Sequence, residues 1–182
     1  MSKRTKIIIV ASIVVLAAMS RLVDHPYNFT PIAAMALFAG CYLRTKWGIL
    51  LPLAAMLASD YFIGFYDWQV MAAVYASFAL VFTLGWLLRK YKNWHNIILA
   101  SLVSSVMFFV VTNLAVWAFF NWYAHTREGL IYCFTLALPF FRNTLAGDLS
   151  YTVLFFGAYE SILLFADKKV IKNKIAHDQR NL

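Results

Sequence analysis

Apolar runs long enough to cross a bilayer, parted by short polar islands, constrain this chain more than any other feature. A spanning helix needs roughly 20 mostly apolar residues. The hydropathy pattern supplies six candidates, at about 7–22, 31–43, 47–64, 69–88, 96–120 and 143–165. Of the 182 residues, 63% are hydrophobic and 13% charged, with a mean hydropathy of +0.70; a soluble domain carries about 25% charged residues. There is too little polar side chain to cover a water-soluble globule. The expected class is an all-α, polytopic helical bundle, one membrane domain over 1–182, with the lipid bilayer as its surroundings.

Taken in order, the first run follows a basic leader and reads as a retained helix rather than a cleaved signal, because Arg21 stands directly after Ala18-Met19-Ser20. A loop at 23–30 follows. Pro31 suits the first turn of the next helix, where its missing N–H costs nothing, and Thr30 is the expected N-cap. The second run is short and rich in small side chains (Ala33, Ala34, Ala36, Ala39, Gly40). The third contains Pro52 and Asp60, and the aromatic stretch 65–68 after it suits a membrane interface. The fifth contains Asn113. The apolar sequence after residue 129 is too long for one helix, so it is divided near Pro139 into a short amphipathic or re-entrant piece (130–141) and a sixth span. A basic tail occupies 166–182.

The net charge is +8, and its placement matters more than its size. Lys3/Arg4/Lys6, Arg44/Lys46, Arg89/Lys90/Lys92 and Lys168/Lys169/Lys172/Lys174/Arg180 all fall on one side of a six-span topology. Only Arg21, Arg127 and Arg142 fall opposite. The positive-inside rule then puts both termini in the cytoplasm and accounts for the basicity without nucleic acid. Cys41 and Cys133 are far apart, the four histidines lie in four segments, and no HExxH, GxSxG or P-loop occurs. A binding task is expected, with no catalytic residue, metal or cofactor.

Two polar islands interrupt the apolar pattern, one at 21–31 and one at 138–160. An ionised group at mid-bilayer costs at least ~3 kcal/mol, so such residues face a partner helix, a wet cavity or the interface. Both islands are expected on the outer side, lining one site. The candidate ligand residues are Asn28, Phe29, Asp60, Asn113, Trp117, Arg142, Asn143 and Asp148. The plainer alternative makes Asp60, Arg142 and Asp148 a structural lock between helices. Outer aromatics available for stacking on a planar ligand are Tyr27, Phe29, Tyr61, Tyr66, Trp68, Trp117 and Trp122. Glu160 lies nearer the cytoplasmic end and is expected to snorkel. Ala36/Gly40, Ala54/Ala58 and Ala55/Ser59 have the spacing that lets helices approach closely.

The run PYNFTPIAAMALFAG (26–40), Pro52 with Ser59-Asp60, Arg142-Asn143 with Gly147-Asp148-Leu149, and Gly157-Ala158-Tyr159-Glu160 together resemble an uncharacterised bacterial membrane family. That family is similar to the substrate-binding S components of energy-coupling factor vitamin transporters. The resemblance spans about residues 21–160. It implies a six-helix protein of the bacterial inner membrane that binds a vitamin-like small molecule from outside. It also implies an energising transmembrane subunit and ATPases as partners. One departure is visible: S components often carry Ala-x-x-x-Ala on the first helix, whereas Ala11 is followed four on by Val15. The expected function is a solute-binding transport subunit; the alternative is a structural or assembly subunit of the cell envelope with no small-molecule ligand.

Overall fold

A computed structural model describes residues 2–178 except 24, 25, 27 and 44, and leaves aside the side chains of 46, 167 and 169–178. Tyr27, Arg44 and most of the basic tail therefore lie outside the described residues or side chains. The described chain is all-α, with six helices: α1 (Lys3–Ser20), α2 (Ile32–Tyr42), α3 (Leu50–Ile63), α4 (Trp68–Leu88), α5 (Trp94–Phe119) and α6 (Arg127–Asp178). A 3-10 turn, Lys46–Ile49, leads into α3, and another, Arg89–Tyr91, prolongs α4. Three helices are long and apolar enough to cross a membrane: α4, α5 and the first 40 residues of α6. Their outward faces carry large apolar side chains, including Leu80, Trp86, Leu99, Val106, Ile131 and Leu154.

The shortest helix is at the centre. All ten residues from Ile32 to Cys41 in α2 are buried, so no side of that helix is left for solvent or lipid. It touches each of the other five helices. At 11 residues it is about 17 Å long, roughly half a hydrocarbon core. Small side chains make this possible. A Cβ on Gly40 would stand 2.1 Å from the carbonyl oxygen of Phe82, and one on Gly85 would stand 2.2 Å from that of Leu37. The α2 and α4 backbones therefore meet at a reciprocal pair of glycines, as the small-residue spacing at Ala36/Gly40 foreshadowed. The C-terminal carbonyls of α2, left over by helix geometry, are taken by Arg89. Its guanidinium donates to Gly40 (2.8 Å), Cys41 (3.0 Å) and Leu43 (2.6 Å).

Two local expectations are corrected. Thr30 does not cap α2; Pro31 occupies the N-cap position and no side chain caps the first turn. The division near Pro139 does not occur either, because α6 continues through it for 52 residues, about 78 Å. Pro139 removes one backbone hydrogen bond, to the carbonyl of Thr135. In an apolar surrounding, stopping the helix there would strand several backbone groups instead of one. Packing against α5 also carries the helix past the proline: Phe109 of α5 meets Phe134 on one side of it (5.4 Å) and Phe141 on the other (4.6 Å).

Candidate functional site

The two polar islands meet. The last residues before α2 lie across α6 where Gly147 leaves room for them; a Cβ there would stand 3.2 Å from Phe29 Cα and 3.2 Å from Thr30 N. The Phe29 ring packs on Tyr151 one turn further along α6 (5.7 Å). Asn28 supplies the turn, with φ of +61°, a left-handed conformation that asparagine tolerates better than most residues.

Beneath this junction is a cavity of about 210 Å³. Arg21, Asn28 and Thr30 line it from the first island, and Thr144 and Asp148 from the second. Tyr66 stands at the α3–α4 connection, while Met56, Val74, Phe78 and Phe108 supply apolar wall. Phe78 and Phe108 lie stacked, with centroids 5.7 Å apart and planes inclined by 20°. Each sits about 15 Å in from the near end of its helix at about 1.5 Å per residue. The uncapped first turn of α2 also borders the space through Ile32 and Ala33. Partial burial, then the nearby Asp60 carboxylate, push the Tyr66 phenol up to about 12, with Arg21 opposing.

Two buried aspartates stand on either side of this space in different circumstances. Asp60 is 1% exposed and has a partner on each oxygen. Arg21 Nη1 lies 2.8 Å from its Oδ1, and the Tyr75 hydroxyl donates to its Oδ2 at 2.8 Å. The same Nη1 donates to the Ser59 hydroxyl and, at 3.5 Å, to the Met56 carbonyl. This network ties α1, α3 and α4 together. Asp148 is 2% exposed and accepts one hydrogen bond, 2.7 Å, from Ser105 of α5. One turn on, Thr152 donates to Ser101 at 3.0 Å, continuing the polar seam between α5 and α6. The ion pairs among the described residues are Arg21–Asp60 and Lys92–Glu160, and neither includes Asp148.

Of the expected site residues, Asn28 and Asp148 line the cavity, while Phe29 packs on Tyr151 beside it and is outside the lining. Asp60 lies directly behind Arg21. Asn113 turns to its own helix, donating to the Phe109 carbonyl at 2.8 Å. Trp117 donates to the Ala124 carbonyl at 3.0 Å and packs on His125, so it organises the α5–α6 connection. Arg142 is exposed and joins neither aspartate; Asn143 beside it is half-buried and outside the cavity lining. Tyr61, Trp68 and Trp122 point outward. The partner expected for the aspartates was Arg142; the structure pairs Asp60 with Arg21 and gives Asp148 a serine. Tyr66, one of the aromatics expected near a ligand, does line the cavity, whereas Thr30, Phe78, Phe108 and Thr144 were not foreseen as a wall. Thr144 had a readable signal, since it stands four residues before Asp148 on the same helix face.

Glu160 belongs to the opposite end of the bundle, accepting from the Tyr42 hydroxyl at 2.5 Å and pairing with Lys92. A second cavity there, about 580 Å³, is bordered by Lys3, Lys6, Arg89 and Lys92. Among the described residues no group of three or more His, Cys, Asp or Glu is placed to hold a metal ion.

A family model matches residues 1–171, described as a family of unknown function, DUF6580. The chain belongs to the DUF6580 family. No curated protein and no solved structure shows significant similarity to this DUF6580 member.

Proposed function

We propose that this protein is a membrane-embedded solute-binding subunit for transport, taking a small vitamin-like molecule from the extracytoplasmic side of the bacterial inner membrane. The observation that carries the reading is the convergence of residues from two distant polar islands on one 210 Å³ cavity between helices. Ligand sites are typically concave and mostly apolar, with a few convergent polar groups. The cavity combines Arg21, Asn28, Thr30, Thr144 and Asp148 with apolar wall in that way.

Orientation follows from charge. The cavity opens at the end of the bundle opposite Lys3, Lys6, Arg89 and Lys92. With that basic end in the cytoplasm, both termini are cytoplasmic and the cavity faces outward. The short helix α2 and the residues just before it act as the gate, with Phe29 and Thr30 seated on Gly147. The likeness of the sequence motifs to S components of energy-coupling factor transporters adds an energising transmembrane subunit and ATPases as partners.

A specific observation favours a second reading, a structural subunit of the envelope. The Arg21–Asp60–Tyr75 network gives each Asp60 oxygen a partner from another helix, as a structural tie would. A thermal-shift screen of the purified full-length protein against B vitamins and their precursors separates the two. A ligand at 100 times its dissociation constant adds about 2.7 kcal/mol to stability. The transport reading expects such a rise for one ligand class, lost in Asn28→Ala and Asp148→Asn. No shift across the panel, together with those variants merely unfolding, supports the structural reading.

A further inference from the structure

Among the described residues the charges around the cavity do not cancel, and the imbalance points to the ligand's chemistry. Arg21 is already matched by Asp60. Asp148 borders the same space with a neutral hydroxyl as its partner and no cation paired to it among the described residues. With Asp148 ionised, Arg21, Asp60 and Asp148 together carry one surplus negative charge. A carboxylate held in an apolar interior without a counter-charge is costly. The cavity is the space through which that counter-charge can arrive. Its wall suits a cation for a second reason: Tyr66, Phe78 and Phe108 line it, and the face of an aromatic ring attracts positive charge.

We propose that the cavity selects a small organic monocation, an ammonium or N-protonated heteroaromatic ring, whose N–H donates to the Asp148 carboxylate while its apolar body lies against Phe78 and Phe108. An anionic ligand is disfavoured by the same arrangement. Arg21 already has its charge matched by Asp60, and Asp148 would repel the newcomer. The uncapped first turn of α2, bordering the cavity through Ile32 and Ala33, presents N–H groups to a neutral oxygen acceptor on the ligand. The inference rests on the cavity being the ligand site, as proposed above.

Three probes of one ring size separate charge from shape: benzylammonium, benzyl alcohol and benzoate. Each is titrated calorimetrically into the full-length protein in neutral detergent micelles, against micelles alone. Benzylammonium is expected to bind at least ten-fold more tightly than benzyl alcohol, and benzoate not at all. Asp148→Asn, which keeps the shape and an acceptor for Ser105, should bring benzylammonium down to the level of benzyl alcohol. Should that variant fail to fold, Phe108→Leu serves in its place and should weaken benzylammonium several-fold more than the alcohol. Benzoate binding as well as benzylammonium, a preference that survives Asp148→Asn, or no binding by any probe overturns the inference. If the probes fail while an uncharged or acidic vitamin still gives a thermal shift, cation selection is lost and the solute-binding function stands. If neither panel binds, both are lost.

Discussion

Asp60 and Asp148 are chemically identical, almost equally buried, and both close to one cavity, yet their surroundings differ in kind. Asp60 has a guanidinium on one oxygen and a phenol on the other. Asp148 has one serine hydroxyl and open space. The first arrangement joins three helices and supplies the acid with its counter-charge. The second holds an acid where a ligand can reach it. Burial alone therefore does not mark a functional residue in such a bundle. What distinguishes the two is whether the protein itself completes the hydrogen-bonding shell.

The largest effect should come from breaking the completed shell. Asp60→Ala leaves Arg21 without its counter-charge and should lower unfolding stability by about 3–5 kcal/mol, measured by equilibrium denaturation in mixed micelles. The double variant Arg21→Met with Asp60→Leu should recover most of that loss, because well-packed apolar residues replace a buried pair at little cost. If Asp60→Ala unfolds no more readily than the parent, the lock is misassigned. A smaller effect is expected at the junction of the islands. Gly147→Ala pushes against the backbone of Phe29 and Thr30. It should cost about 1 kcal/mol and weaken ligand binding several-fold by lifting the loop from α6; unchanged binding would detach the loop from the site. The smallest belongs to Arg142→Ala, an exposed residue outside both networks. Its stability should stay within about 0.5 kcal/mol of the parent, and its ligand response should be unaltered. A loss of binding there would restore the arginine first expected to face the aspartates.

The first five helices were legible because apolar runs of set length leave few alternatives, and they stand close to where hydropathy put them. The continuity of α6 was not. A proline reads as a breaker in sequence, and only the packing of Phe134 and Phe141 on Phe109 shows why the helix persists through it. The meeting of the islands was legible as a coincidence of side, but the partners within it were not. No sequence rule selects Arg21 over Arg142 for Asp60, since the choice depends on which helices are neighbours. One part could have been worked out beforehand. Arg142 and Asp148 are six residues apart, which sets them about 120° apart around a helix. They could not both face the same cavity, whereas Thr144 and Asp148 could. Ser105 gave no signal, because a lone serine or threonine hydroxyl in an apolar helix most often bonds its own backbone, as Thr83 and Thr112 do here.

The most direct test compares the unfolding free energies of Asp148→Asn and Asp60→Asn without ligand, under identical conditions. Asp148→Asn retains an acceptor for Ser105 and removes no ion pair, so it should lie within about 1 kcal/mol of the parent. Asp60→Asn should fall several kcal/mol below it. Equal and large losses would make Asp148 a second structural lock and contradict the account.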